Sequence, residues 1–474
     1  MRINIQISLF LVFIFCQPHV SYAQLVAAGG RHSLAICSDS TVHSWGYNGY
    51  GQLGNGRILE ENKGVKVTGL SGIIQVAGGL FHSLFVKQDG TVWACGRNPL
   101  GPLGDGTIEN KTTPVQVVGL TNIIQAAGGG EHSLFLKNDG SVWASGLNSS
   151  GQLGDGTNIN KTIAVKLATL SDIVQVAAGA EFSLFLKKDG NVWACGHNGF
   201  GQFGNGTISS KNIPIQIPGL SGIKQISAGE WHSLFVTERG EVYSSGRNNY
   251  GQLGDGSTLD KKSATLISSL TEIIQAEAGG IHSVFIKNDG SVWSCGLNSG
   301  GNNDGQLGDG TNIDKATPVQ VISSWGADKI IRAEATREHS LYLTETGQIW
   351  ASGRNNYGQL GNSVFSNSNS HTSVHSSSIC QILPLNTTQN NNNRIKYILY
   401  PNPTKSHISL KFDIPLHEAK LLIYNSIGNK VKQYNSIFGY EIKCNLHNIP
   451  FGIYYFQLMQ NNKTISNGKI AISD

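Results

Sequence analysis

A tetrad of the form Gly-x-Leu/Phe-Gly recurs at nearly constant spacing along this chain of 474 residues. Its first five copies are spaced 50 residues apart and the last two follow at slightly longer intervals; the copies begin at Gly51, Gly101, Gly151, Gly201, Gly251, Gly305 and Gly358. Self-similarity of this period is typical of solenoids, propellers and arrays, in which each copy packs against its neighbours. The seven copies therefore constrain the fold more than any single residue does.

Each copy has the pattern of four short strands separated by turns. In the third copy the strands are predicted at residues 124–127, 132–137, 142–145 and around 164–167. Asn138, Asp139 and Gly140 indicate a hairpin turn, because glycine reaches a positive φ without penalty. One such sheet buries little surface alone, so seven copies predict an all-β fold, a seven-bladed β-propeller over residues 24–385.

The copies share the pattern V-x-x-G-x-x-H-S-L, followed by D-G-x-V-W-x-x-G-x-N-x-x-G-Q-L-G-x-G. This pattern resembles the repeats of the regulator of chromosome condensation (RCC1) family and extends from about residue 25 to residue 385. The resemblance implies a seven-bladed propeller, in agreement with the strand count. It does not imply a function, because one scaffold hosts many unrelated sites.

The N-terminus has the features of a secretory signal peptide over residues 1–23. Arg2 precedes an apolar run at residues 7–16, and small residues lead to a cleavage site between Ala23 and Gln24. The apolar run is too short for a stable membrane span. We therefore expect an exported chain with no membrane span.

A polar linker at residues 386–397 separates the repeats from a second module at residues 398–474. About six strands are predicted in this module, at residues 407–414, 420–425, 430–434, 440–446, 452–458 and 468–473. A small Ig-like β-sandwich is the expected fold.

The second module resembles the C-terminal sorting domain of cargo that the type IX secretion system of Bacteroidota exports. The residues that carry this resemblance are Tyr400, Pro401, Asn402, Pro403, Gly428 and Gly452. The resemblance implies that the type IX machinery is a partner. It also implies a product that is secreted or attached to the outer-membrane surface.

Charge argues against a nucleic-acid partner. The chain has 35 basic and 31 acidic residues, of which one basic residue lies in the signal peptide and ten basic and four acidic residues follow residue 385. The propeller region is left with 24 basic and 27 acidic residues, which is the wrong sign for binding phosphates. A soluble monomer is expected.

Repeated polar residues are interpreted as scaffold. A His-Ser pair occurs in six copies and Phe182 replaces the histidine in the fourth, whereas catalysis needs one unique oriented site. The loops at Asp155 and Asp309 weakly resemble calcium loops but lack the required acidic spacing, so Asx turns are expected. No catalytic residue, metal site or cofactor is predicted.

A repeated aromatic residue is predicted to fill the core between blades, at Trp45, Trp93, Trp143, Trp193, Trp293 and Trp350, with Tyr243 in the fifth copy.

The cysteines do not form an obvious disulfide framework. Cys95, Cys195 and Cys295 occupy one repeat position two copies apart and are interpreted as small packing residues. Cys37 and Cys380 could meet where the ring closes, and whether they pair is left open. How the ring closes is also left open.

Function is expected where the copies differ. The first-to-second and third-to-fourth connections of all blades lie on one face of a propeller, and these connections carry variable Trp, Tyr and Arg residues, which are typical of binding surfaces. We hypothesise that this face binds an extracellular protein or glycan. The candidate residues are Arg31, Tyr50, Phe81, Arg97, Glu131, Glu181, Phe200, Trp231, Arg247, Tyr250, Glu338, Arg354 and Tyr357, with His197 and Ile281 beside them.

Three alternatives accompany this hypothesis. The side chains could simply cover the loops, because scattered surface aromatics are normal. The propeller could instead be a secreted enzyme inhibitor that uses one face. Guanine-nucleotide exchange on a small GTPase, suggested by the family name, is disfavoured because GTPases are cytosolic and copies two to four have no wedge-like insertion.

Overall fold

The computed structural model describes residues 25–299, 304–322, 324–365, 370–376, 382, 397–400, 407–425, 430–447, 449–450, 452–460 and 463–472. The chain divides into two compact units, residues 1–385 and residues 386–474. The predicted signal peptide with its cleavage site at Ala23 and Gln24 lies outside the described residues, as do residues 386–396 of the linker. Of the sorting motif, Pro401, Asn402, Pro403 and Gly428 also lie outside them.

The described residues of the first unit form seven four-stranded antiparallel sheets, and in each sheet the strands are hydrogen-bonded in chain order. Blades 1 to 4 consist of β1 (Val26–Ala28), β2 (His32–Ile36), β3 (Val42–Gly46), β4 (Glu61–Lys66); β5 (Ile73–Gly78), β6 (His82–Lys87), β7 (Val92–Gly96), β8 (Lys111–Gln116); β9 (Ile123–Gly128), β10 (His132–Lys137), β11 (Val142–Gly146), β12 (Lys161–Lys166); and β13 (Ile173–Ala178), β14 (Phe182–Lys187), β15 (Val192–Gly196), β16 (Lys211–Gln216).

Blades 5 to 7 repeat the same arrangement. They consist of β17 (Ile223–Ala228), β18 (His232–Thr237), β19 (Val242–Gly246), β20 (Lys261–Leu266); β21 (Ile273–Ala278), β22 (His282–Lys287), β23 (Val292–Gly296), β24 (Lys315–Gln320); and β25 (Ile330–Ala335), β26 (His339–Thr344), β27 (Ile349–Gly353), β28 (Ser370–His375). The prediction of seven four-stranded repeat units is confirmed.

The hydrophobic core of the propeller lies between blades. Leu84 and Val86 of blade 2 pack with Phe135 of blade 3, and each successive pair of blades shares a cluster of this kind. The last cluster combines Leu341 of blade 7 with Val26 of blade 1. The ring therefore closes by packing of blade 7 on blade 1, and each blade takes its strands from one stretch of chain.

A histidine-serine hydrogen bond joins successive blades beneath the loops. His32 Nε2 lies 2.8 Å from Ser83 Oγ, and that hydroxyl lies 2.7 Å from the carbonyl oxygen of Gln52. Because the single hydroxyl proton is donated to the carbonyl, the histidine must donate from Nε2. The same pair joins blade 7 to blade 1, where His339 Nε2 lies 2.9 Å from Ser33 Oγ.

These histidines are interior scaffold residues, as the sequence predicted. Burial lowers the pKa of His82 to about 4 and lowers the pKa of the other five to about 3. Each ring is therefore neutral at physiological pH. In blade 4, Phe182 replaces the histidine, and Ser233 still donates to the carbonyl of Gln202 at 2.6 Å.

Glutamine side chains protect the backbone of the innermost strands, which pair with only one neighbour in their own sheets. The Gln75 amide accepts from the backbone N–H of Ala126 at 2.9 Å and donates to the carbonyl of the same residue at 2.9 Å. Gln125, Gln175, Gln225 and Gln275 repeat this bidentate contact at the next four junctions. The contacts satisfy backbone groups that would otherwise form an open sheet edge.

The Asp-Gly turns and the Asp-Gly-Thr loops adopt the local structures that the sequence predicted. Gly140 has a φ of 78°, and Asp139 Oδ1 accepts from the backbone N–H of Ser141 at 2.9 Å. Asp155 Oδ1 accepts from the backbone N–H of Thr157 at 2.9 Å, and the Asp309 carboxylate makes the equivalent contact. The Asx turns preferred over calcium loops are therefore confirmed.

One repeat assignment is wrong. Trp45 was expected at the position of Trp93, but it pairs across the sheet with Ser33, as Cys95 pairs with Ser83. Trp45 therefore occupies the position that Cys95, Cys195 and Cys295 fill elsewhere, and His43 occupies that of Trp93. The larger side chain is fully buried at the closing junction, where its Nε1 donates to the carbonyl of Gln359 at 2.9 Å.

The cysteines at this repeat position are confirmed as packing residues. Cys95, Cys195 and Cys295 are free and fully buried, and burial raises the pKa of each thiol. Cys37 is disulfide-bonded. Cys380, the partner considered for it, lies outside the described residues.

Among its described residues, the second unit contains one hydrogen-bonded sheet of five strands around its own core. The strands are β29 (Tyr397–Tyr400), β30 (His407–Asn425), β31 (Lys430–Asn445), β32 (Gly452–Gln460) and β33 (Lys463–Ile472). The prediction of six separate strands is wrong. β30 and β31 each span two predicted strands, because their mutual pairing continues through several register shifts instead of ending in turns.

The closing junction should depend on the bulk of Trp45. Substitution W45A removes a fully buried indole between blades 7 and 1, so we expect a loss of about 3–5 kcal/mol in the free energy of unfolding. Chemical denaturation monitored by circular dichroism measures this loss. The control, C195A at the same repeat position in blade 4, should cost less than about 2 kcal/mol. Equal losses would contradict a special filling role for Trp45.

The buried histidines should make the propeller sensitive to acid. A histidine with a native pKa of about 3 binds fewer protons than its unfolded form, so stability falls as pH drops below about 6.5. Substitution H132F, which copies Phe182, should reduce the slope of unfolding free energy by about 1.4 kcal/mol per pH unit between pH 4 and 6. Denaturation at several pH values measures the slope. The reciprocal F182H should steepen it, and unchanged slopes in both variants would disprove the assignment.

Candidate functional site

Two variable positions in every blade are joined by one backbone hydrogen bond. The residue after the third strand donates its N–H to the carbonyl of the residue before the histidine position. Arg97 N lies 2.9 Å from Phe81 O, and Arg247 N lies 2.9 Å from Trp231 O. The same bond occurs in all seven blades. The scaffold thus presents both sets of variable side chains together, whatever their identity.

The first of two groups on this face is the blade 1 network, which consists of Arg31, Tyr47, Tyr50, Phe81, Arg97, Glu131, Glu338, Arg354 and Tyr357. Tyr47 lies at its centre, with ring centroids 5.0 Å from Tyr357 and 6.1 Å from Phe81. The Tyr50 ring lies 5.3 Å from Phe81. All of these contacts are edge-to-face, the geometry that aromatic quadrupoles favour.

Each arginine of the blade 1 network lies within ion-pair distance of a carboxylate, and two of them share the same one. Glu338 Oε2 lies 3.0 Å from Arg354 Nη1 and 3.4 Å from Arg31 Nε. Arg97 forms an ion pair with Glu131, and its guanidinium lies 5.6 Å from the centroid of the Tyr50 ring. Burial raises the pKa of Glu131, an effect that the charge of Arg97 opposes. Every arginine of the network therefore has a carboxylate partner from within the protein.

The second group is the blade 5 cluster, which consists of His197, Phe200, Trp231 and Arg247. The Trp231 ring lies 5.1 Å from His197 and 5.6 Å from Phe200. The guanidinium of Arg247 lies 5.4 Å from the Phe200 ring centroid. His197 Nδ1 lies 3.0 Å from the side-chain nitrogen of Gln202, which donates to it, so a neutral ring carries its proton on Nε2.

Three further candidates lie outside these two groups. Glu181 accepts a hydrogen bond from Ser150 Oγ at 2.7 Å. Tyr250 and Ile281 are half-buried in the loops of blades 5 and 6. All of the candidate residues on this face are half-buried. Contacts between neighbouring blades leave these side chains half-buried; for example, the Arg97 side chain is 29% exposed.

A small cavity lies at the centre of the ring. It has a volume of about 120 Å³ and is lined mainly by the glycine and alanine residues that end the innermost strands. Glu230 of blade 5 and Arg337 of blade 7 also line it and form an ion pair at 3.1 Å. The ion pair connects blade 5 directly to blade 7. Blade 6 contributes no side chain to it, because Gly280 occupies the same repeat position there. Burial raises the pKa of Glu230, while Arg337 opposes this shift.

The sequence interpretation missed Tyr47, Ser150, Glu230 and Arg337. Tyr47 occupies the repeat position of Arg97, His197 and Arg247, so aligning the copies could have identified it. Glu230 and Arg337 lie one residue before the position that was scanned for variation. Their pairing across a blade could not be inferred from linear spacing.

Recurring four-stranded blades and a face of variable loops define the protein as a β-propeller of the repeat class. A model of the RCC1-like domain matches residues 14–300, and models of the RCC1 repeat match residues 289–343 and 330–359. The chain belongs to the RCC1-like domain family.

Solved structures agree with this fold. The human protein WBSCR16 is similar with a TM-score of 0.59 and 24% identity over 67% of this chain and 86% of its own. Prp20p from Saccharomyces cerevisiae, whose binding to Gsp1p and histones has been studied, is similar with a TM-score of 0.61 and 22% identity over 77% and 90%. At such identities the similarity establishes the fold alone.

The C-terminal module matches a model of the secretion system C-terminal sorting domain over residues 398–473. The chain is therefore a type IX export substrate, and its product is secreted or attached to the outer-membrane surface. In the part of the chain that the structure describes, no helix has the length and apolarity needed to cross a bilayer.

Glu338 should contribute more to the free energy of unfolding than Glu131, because its carboxylate forms ion pairs with two guanidinium groups. Substitution E338Q removes the carboxylate that Arg31 and Arg354 share, so we expect a free energy of unfolding about 1–2 kcal/mol lower than that of E131Q. Urea denaturation at low salt measures the difference. At about 1 M salt the difference should narrow, because screening weakens the repulsion between the two arginines. Equal losses at low salt would contradict the shared role of Glu338.

Proposed function

We propose that the protein is an exported binding module whose variable face recognises an extracellular protein or glycan. In this proposal the propeller has no catalytic role, and the sorting domain serves export. The residues that carry recognition are those of the blade 1 network and the blade 5 cluster, together with Glu181 and Tyr250.

The observation that carries the proposal is the concentration of variable Trp, Tyr and Arg side chains on one face of an otherwise repetitive scaffold. The His-Ser pairs and glutamine contacts recur from blade to blade and have a structural explanation. Trp231 and Arg247, in contrast, have no equivalent requirement in the scaffold, because other blades place Glu131 or Leu147 at the same positions. Aromatic and arginine side chains of this kind dominate binding energies at interfaces.

A second candidate function is inhibition of a secreted enzyme, which would use the same face. An exposed aliphatic or aromatic residue in the third-to-fourth connection of every blade favours a protein partner, because such residues gain free energy when another surface covers them. These residues are between 45% and 71% exposed; they are Ile58, Leu59, Ile108, Ile159, Ile208, Leu259, Ile313, Val364 and Phe365.

The proposal predicts that Trp231 and Tyr250 are needed for ligand retention. The purified chain is immobilised and screened against a glycan array and a panel of extracellular proteins. The double substitution W231A/Y250A should weaken retention of the ligand by at least about tenfold, because it removes two large contact surfaces. Its thermal transition should change less than that of W45A, since both side chains are half-buried and neither belongs to a core cluster between blades.

The matched control is R239A, an exposed residue in the Arg-Gly turn between β18 and β19 of the same blade, which lies at the opposite end of the strands. This variant should retain the ligand fully. Unchanged retention in W231A/Y250A, or an equal loss in R239A, would reject the face as the binding site. Capture of a defined enzyme with loss of its activity would favour the inhibitor function.

A further inference from the structure

The two aromatic groups of the variable face are copies of one arrangement, displaced by three blades. Every residue of the blade 5 cluster lies 150 positions after a residue of the blade 1 network: His197 after Tyr47, Phe200 after Tyr50, Trp231 after Phe81 and Arg247 after Arg97. The contacts are equivalent as well. Arg97 lies over the Tyr50 ring at 5.6 Å, and Arg247 lies over the Phe200 ring at 5.4 Å.

The two copies differ in their charge balance. Glu131 neutralises Arg97 from the following blade, and the residue 150 positions later is Ile281. Arg247 has no carboxylate within ion-pair distance among the described residues, whereas Arg31, Arg97 and Arg354 each have one. The positive charge of Arg247 opposes the rise in the pKa of Glu230, but the Glu230 carboxylate forms its ion pair with Arg337.

We propose that the blade 5 cluster binds a carboxylate-bearing sugar of an acidic polysaccharide, with Arg247 as the counter-charge and Trp231 as the stacking surface. This inference rests on the proposed function of the face and names the ligand class. The ligand carboxylate takes the place that the Glu131 side chain occupies beside Arg97. A guanidinium suits this role because it is always charged and binds carboxylates in a bidentate manner.

The surroundings of Arg247 favour a glycan over an acidic peptide. Trp231, Phe200 and His197 offer flat aromatic surfaces, and His197 Nε2 offers a polar group beside them. Sugar rings have apolar C–H faces and polar edges, which match this combination. Extended peptides add to open sheet edges, whereas glutamine side chains bind the edges of the innermost strands in these blades.

The test measures binding of the full chain to polygalacturonate, with fully methyl-esterified polygalacturonate and polyglutamate as comparison probes. The chain should bind polygalacturonate, and binding should weaken at high salt. R247A should weaken binding by about tenfold or more. I281E, which copies Glu131, should weaken it similarly by neutralising Arg247, and the isosteric but uncharged I281Q should change it less than about twofold.

The outcomes separate the inference from the proposed function. Loss of binding in I281E but not in I281Q, with weak binding of the methyl ester and of polyglutamate, supports the inference. Equal binding of the methyl ester, tighter binding of polyglutamate, or equal effects of I281E and I281Q would overturn it. Absence of binding to all three probes would also overturn it. In each of these cases, retention of another ligand that is lost in W231A/Y250A would leave the proposed function intact.

Discussion

The contact between neighbouring blades is the interaction on which the rest of this structure depends. A four-stranded sheet has two faces and cannot bury both alone, so every cluster of the propeller core is shared between two blades. The hydrogen-bonded series from His32 to Ser83 to the Gln52 carbonyl occupies the same junctions and gives the packing a fixed register. Burial keeps these histidines neutral, which couples the integrity of the ring to pH.

Much of this scaffold could be predicted from the sequence because its causes are local and repeated. The Asp139 turn, the Asp155 loop and the packing role of Cys195 follow from residue chemistry at constant spacing. The ring closure could not be predicted, because it depends on two blades that are more than 300 residues apart in the chain. Trp45 illustrates the difficulty. At the closing junction an indole fills the position that contains cysteine or serine at the other junctions, so the sequence pattern placed Trp45 at the repeat position of Trp93 instead.

The candidate site was predicted as a set of positions and not as a set of contacts. Variation between copies identified Arg97, Glu131 and Trp231, because residues that the scaffold does not require are free to differ. Their partners could not be derived, since they come from adjacent blades and depend on side-chain direction. The half-buried state of these residues has the same origin: Arg97 lies between Tyr50 of the preceding blade and Glu131 of the following one. Sequence variation alone does not distinguish such internal pairing from surface left open to a ligand.

The repeat explains how one face can contain arginines that are paired with carboxylates and also one, Arg247, that has no such partner among the described residues. A backbone hydrogen bond holds the two variable positions of each blade, so a substitution there changes chemistry without disturbing the blade. Replacing one acidic residue of the following blade is then sufficient to change an internal ion pair into an arginine with no carboxylate in ion-pair distance among the described residues, as the comparison of Glu131 with Ile281 illustrates. Because the blade does not need that acidic residue in order to fold, its loss changes only the local electrostatics. A ligand carboxylate can restore that balance, which links the regularity of the scaffold directly to the specificity of its surface.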